Sequence, residues 1–222
     1  MITTVGFSFA YLALACLAIT CTLCIWKYKS LPEPIRLLSH YLFFNLLIEV
    51  CAKTIPFPNN NNLPLLHLYT LGEFVLLSLF FKSLIKKPSA FQKYFWVFIG
   101  LFLVLIIGNT IFLQGIFEFN SYAKTGVQVV LITYSVLYFY NLSNEVDLTN
   151  PYQKSLRLIN SALLIYFSGS LFIFMFSNYL TKHKIDIHHG FWAFNAFLNL
   201  VFQILVLVGI WRVTFRRAKS SS

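Results

Sequence analysis

The stretch RLLSHYLFFNLLIEVCAK, residues 36–53, decides how this chain is read. It is apolar enough to enter a membrane, yet it is short and is interrupted by His40, Asn45 and Glu49. If it crosses the bilayer, the chain has seven spans. If it does not, the chain has six, and every later connection changes sides.

The rest of the sequence makes the membrane the solvent. Of 222 residues, 58% are hydrophobic and 11% charged, and the mean hydropathy is +0.72. A soluble domain carries about 25% charged residues. A helix needs roughly 20 mostly apolar residues to cross the hydrocarbon core. Residues 6–26, 64–85, 94–113, 121–140, 156–180 and 190–212 each meet that need, with 37–53 as the doubtful seventh.

The positions of Lys and Arg resolve the doubt. With seven spans, Lys27, Lys29, Arg36, Lys82, Lys86, Lys87, Lys93, Lys154, Arg157, Arg212, Arg216, Arg217 and Lys219 share one side. Only Lys53, Lys124, Lys182 and Lys184 fall on the other, giving 13 against 4. Without the second span the division becomes 10 against 7. Cytoplasmic loops are the ones rich in Lys and Arg. The expected fold is therefore an all-α bundle of seven transmembrane helices in one domain, N-terminus outside and C-terminus cytoplasmic. Trp26, Trp96 and Trp211 fall at cytoplasmic helix ends and Trp192 at an external one, as interfacial Trp should. No proline interrupts a span, so no span is expected to be kinked by one.

The segment Ala13-Leu14-Ala15-Cys16 resembles a lipoprotein cleavage site, but no Lys or Arg precedes it and the apolar run is long, so it reads as the first helix. The net charge of +10 does not indicate nucleic acid, because the positive residues cluster at helix ends on one side. They suit the bilayer, and Lys82, Lys86, Lys87 and Lys93 suit anionic headgroups in particular. Cys21-x-x-Cys24 has no second pair to complete a zinc site, and Cys16, Cys21, Cys24 and Cys51 read as small buried hydrophobes.

Polar residues inside spans carry the functional reading, since a charged side chain at the bilayer centre costs about 2.5–3.5 kcal/mol on insertion scales. At about 1.5 Å of rise per residue, Glu49 and His67 lie roughly 5 Å in from the outer ends. Asn45, Glu73 and Asn199 form a second layer at about 13 Å. Asn45 and Glu49 share one helix face, as do Tyr69 and Glu73. On the seventh span His188, Trp192, Asn195, Asn199 and Gln203 recur at helical spacing, and such a stripe should face protein or water rather than lipid. Gln128, Tyr134, Asn160 and Ser168 are candidates for the same interior. Interhelical amides also serve as packing glue, worth about 0.6 kcal/mol each. The ligand-binding candidates are Asn45, Glu49, His67, Tyr69, Glu73, Asn195, Asn199 and Gln203.

The segment from His67 to Phe81, HLYTLGEFVLLSLFF, resembles the third span of small uncharacterised seven-span bacterial inner-membrane proteins. That resemblance implies a multi-pass protein of the bacterial inner membrane and no activity.

Four roles follow from the residues. A sensory, receptor-like protein would bind a small polar or cationic ligand in the outer half and signal to a separate cytoplasmic or membrane partner. A small-molecule carrier is suggested by a faint repeat in which 36–44 aligns with 157–165, and His67 and Glu73 with His189 and Asn195. An assembly or scaffold subunit is a third. A metal-dependent hydrolase is the weakest: His67, Glu49, His188 and His189 are the candidate ligands, but Asn195 and Asn199 stand where seven-span zinc hydrolases carry a His-x-x-x-His pair, and Asn is a poor zinc ligand. No catalytic residue and no cofactor is assigned, and the seventh span has no Lys for a retinal Schiff base.

Overall fold

A computed structural model describes residues 2–55, 61–143, 150–182 and 188–216. Among these there are seven α-helices and no strand: α1 (Ile2–Lys27), α2 (Glu33–Thr54), α3 (Leu63–Leu84), α4 (Ser89–Gly108), α5 (Ser121–Ser143), α6 (Pro151–Lys182) and α7 (His188–Arg216). All seven are long and apolar enough to cross a membrane, α2 included, as expected of an integral multi-pass membrane protein.

Most helices run a few residues beyond the apolar stretches that announce them, because the backbone stays helical past the point where side chains turn polar. Proline marks several starts. It lies in the first turn of α2 and α3 and opens α6, where a missing N–H costs nothing and the fixed φ suits the helix. At its far end α4 widens into a π-helical turn, Asn109–Leu113.

Neighbour order gives the bundle its shape. α1 packs on α2, α2 on α3, α3 on α5, α5 on α6, α6 on α7, and α7 returns to α1. Six helices thus close a ring. α4 lies outside it, against α3, and meets α5 through rings such as Phe98 and Tyr134. Glycine permits the close approach of α6 and α7: a Cβ on Gly209 would stand 2.6 Å from Ile159 Cγ1. Inside the ring Leu38, Leu42, Leu77, Phe167, Phe202 and Val206 are fully buried and fill the half of the bundle nearer the basic ends. Trp26, Trp96 and Trp211 are exposed on the outer surface.

Two expectations change. Lys124 is not a loop charge. It lies in the first turn of α5 and is fully buried rather than at the membrane surface. Ser168 does not line the interior. It is exposed, and its hydroxyl donates to Leu164 O of its own helix at 2.5 Å.

Candidate functional site

Residues from α2, α3, α6 and α7 surround a cavity of about 420 Å³ at the end of the bundle opposite the basic cluster. Asn45 and Glu49 reach it from α2, Tyr69 from α3, Tyr166 and Phe174 from α6, and Trp192, Asn195 and Asn199 from α7. Helical spacing explains the grouping, since i,i+4 pairs share a face. Asn45 and Glu49 are one such pair, Asn195 and Asn199 another.

One wall is aromatic. Phe119, Phe174 and Trp192 pack as a trio with centroids 5.7–6.0 Å apart. Tyr69 also lines the cavity, its ring parallel to Phe44 with centroids 6.4 Å apart and planes at 2°. That stack depends on Gly72, because any Cβ there would stand 2.3 Å from the Phe44 ring. Tyr69 also shares a hydroxyl–hydroxyl hydrogen bond with Tyr41 at 3.1 Å. The polar groups around the cavity are mixed: the Glu49 carboxylate and the amides of Asn45, Asn62, Asn195 and Asn199, with the Lys53 ammonium beside Glu49. Asn195 Oδ1 is buried with no partner among the described residues. Among the described residues Glu49 pairs with Lys53 at 3.7 Å, an exposed i,i+4 contact, and pairs of this kind are worth about 0.3–0.5 kcal/mol.

Behind Tyr69 lies the strongest electrostatic feature of the bundle. Lys124 Nζ on α5 donates to Glu73 Oε2 on α3, and both side chains are sealed from solvent. The ammonium also sits 4.6 Å from the Tyr69 ring centroid and 5.1 Å from that of Phe174. Two faces of the cavity wall therefore double as a cation–π cover over the ion pair. The other carboxylate oxygen, Glu73 Oε1, has no partner among the described residues. A buried pair is weak evidence for stability, since desolvation offsets much of the attraction, but breaking one leaves a stranded charge.

The eight candidate residues thus separate. Asn45, Glu49, Tyr69, Asn195 and Asn199 line the cavity. Gln203 is buried one turn below, its amide donating to Asn199 Oδ1 at 3.4 Å. Glu73 faces Lys124 rather than the cavity. His67 faces the other way: Nε2 donates to Glu118 O at 3.1 Å, and Nδ1 lies 2.9 Å from Thr110 Oγ1. It belongs to a polar joint at the outer end of α4, beside the buried amides Asn109, Gln114 and Asn120. Of the other interior candidates, Gln128 donates to Ser170 Oγ at 2.8 Å and Asn160 to Ser135 O at 3.0 Å, while Tyr134 packs toward α4.

Among the described residues the metal candidates His67 and Glu49 belong to no ligand cluster. His67 has both ring nitrogens engaged, and no three His, Cys, Asp or Glu residues cluster as ligands among the described residues. The side chains of His188 and His189 lie outside the described residues. Sequence reasoning missed Lys124 as the partner of Glu73, because a Lys in the first turn of a span reads as an interfacial charge. It also missed the aromatic wall, because Phe119, Tyr166 and Phe174 look like ordinary membrane residues.

Comparison with protein-family models, with curated proteins and with solved structures gives no match.

Proposed function

We propose that this protein is a receptor-like, sensory seven-helix protein whose outer cavity takes a small ligand bearing a cationic amine. In this reading the N-terminus faces outside, the C-terminus is cytoplasmic, and the protein resides in the bacterial inner membrane. The observation that carries it is the cavity itself: the rings of Tyr69, Tyr166, Phe174 and Trp192 in its wall, the Glu49 carboxylate at the rim, where an incoming ammonium would replace Lys53, and a buried Asn195 Oδ1 with no partner among the described residues. Aromatic faces and acceptor oxygens together favour an ammonium group. The route to a signal is short, since Tyr69 lines the cavity and also covers Lys124 of α5. A ligand that displaces this ring in only one arrangement of the bundle shifts the population toward or away from it. A separate cytoplasmic or membrane partner would receive the change.

The test is thermal unfolding of the purified protein against a panel of primary and quaternary ammonium compounds, with matched carboxylates as controls. An amine at 100 times its Kd stabilises by about 2.7 kcal/mol, or roughly 5–10 °C for a chain of this size. Asn195→Leu and Glu49→Gln should abolish the shift while leaving the unliganded melting point nearly unchanged. A panel without a responding amine, or a shift that survives both substitutions, would sink the proposal.

A carrier role is the second reading, and one observation favours it. The order α1–α2–α3 around the ring repeats as α5–α6–α7, the triplets meet at α3 with α5 and at α7 with α1, and α4 stands aside as a linker. Parallel repeats of this kind build some small transporters. Uptake of a responding amine into proteoliposomes separates carrier from receptor.

A further inference from the structure

Because α4 lies outside the ring, it leaves a second recess of about 420 Å³ between itself and α5, open to the bilayer side of the molecule. Its floor is Phe95 and Tyr134, both buried, and its flanks are Phe91, Phe98 and Val130. The hydroxyl of Thr133 at the rim is turned back to Val129 O at 2.9 Å, so the recess offers an apolar slot. From Ala90 to Phe98 along α4 it runs about 12 Å. One leaflet of hydrocarbon is about 15 Å deep, half of the roughly 30 Å core. The slot therefore has the length and character to hold most of an acyl chain.

Its basic end supplies the rest. The turn that opens α4 carries exposed Lys86 and Lys87, and Lys93 follows one turn on. This turn is fastened to the end of α5: Lys87 N donates to Asn141 Oδ1 at 3.1 Å, and Asn141 Nδ2 donates back to Lys87 O at 2.6 Å. The backbone of the turn is thus fixed across the same two helices that form the slot, and the exposed Lys87 and Lys93 side chains, with Lys86 beside a neighbouring recess, surround its basic end. Lys93 Nζ lies 5.2 Å from the ring of Tyr94, a rim residue. On the far flank Lys82 Nζ lies 4.9 Å from the Phe95 ring. Neither α4 nor α5 contains Asp or Glu, while Glu145 and Asp147 lie outside the described residues.

We propose that the α4–α5 recess is a binding site for one anionic diacyl phospholipid, an acyl chain lying along Phe95 and Tyr134 and the phosphate held by Lys86, Lys87 and Lys93. The proposal rests on the membrane-spanning reading and is independent of what fills the outer cavity. Apolar fit alone would hold any phospholipid. The lysines make the choice, each favouring an anionic headgroup by about fivefold.

The experiment is native mass spectrometry of the purified protein equilibrated with an equimolar mixture of phosphatidylglycerol and phosphatidylcholine of identical chains. The expected result is one retained phosphatidylglycerol per chain, in excess of phosphatidylcholine by about tenfold or more. The triple variant Lys86→Gln, Lys87→Gln, Lys93→Gln should retain lipid without preference. Val130→Trp should fill the slot and reduce retention of both lipids. Thr133→Trp, at an exposed rim position, reads the same occlusion without disturbing the core. Equal retention of the two lipids by the wild-type protein overturns the proposal, as does undiminished phosphatidylglycerol retention in both tryptophan variants. Preference that persists in the triple variant also overturns it.

Discussion

Lys124→Met is the most informative single perturbation in this bundle. Lys124 and Glu73 are both sealed from solvent, and their pairing joins α5 to α3. Removing one partner strands the other charge, at a cost of about 3–5 kcal/mol. The two ring contacts of Lys124 are worth about 0.5–2 kcal/mol each. A methionine thioether against the same rings returns about 0.3–1.5 kcal/mol per contact, so Met nearly offsets that loss and leaves the orphaned carboxylate as the main effect. Glu73→Leu strands the ammonium and should cost a similar amount. Additivity would place the double variant Glu73→Leu, Lys124→Met at about 6–10 kcal/mol. The buried-pair argument places it between wild-type stability and about 4 kcal/mol above it, because neither charge remains to be stranded. Reversible unfolding in mixed micelles of increasing dodecyl sulfate fraction, followed by helical circular dichroism, measures all four forms. Single losses below about 1 kcal/mol, or additive behaviour in the double variant, would refute a sealed pair.

Two further outcomes follow from the same geometry. His67→Phe leaves the Glu118 carbonyl without its donor at the α4 joint, so unfolding stability should fall by about 1–3 kcal/mol, while any amine-induced melting shift stays unchanged; a lost shift would place His67 in the cavity after all. A reporter fused near Asn60 should read as external and one at the C-terminus as cytoplasmic, and a cytoplasmic reading at Asn60 would dismiss the proposed orientation.

The elements of the fold were legible because hydropathy and charge act along the chain. Counting loop charges recovered α2 despite His40, Asn45 and Glu49, and rise per residue put Asn45 and Asn199 at a common depth. Direction around each helix was not legible in the same way. His67 and Tyr69 are two residues apart, about 200° around the helix, so one meets the α4 joint and the other the cavity. Depth alone had placed His67 with Glu49. The seventh span was the exception, because the spacing of Asn195 and Asn199 marks a single face, and both line the cavity. Lys124 was misread because Lys near a helix end ordinarily reaches for water. Here Glu73, Tyr69 and Phe174 give it a closer set of partners. Which helices are neighbours, and that α4 stands aside, is set by tertiary packing that no apolar stretch encodes by itself.

The ring closes by joining α1 to α7, and this has a consequence in time. Gly6 of α1 meets Ala193 of α7, with 3.2 Å from an added Cβ to the alanine, and 193 − 6 = 187 residues separate them. At roughly 5–20 residues per second, a ribosome takes about 10–40 s to deliver the partner. During that interval α1 must wait in lipid with one flank bare. Its sequence suits the wait: no charged residue precedes Lys27, and the hydroxyls of Ser8, Thr20 and Thr22 are satisfied by carbonyls four residues back in the same helix. The first helix is built to be stable alone until the last one arrives.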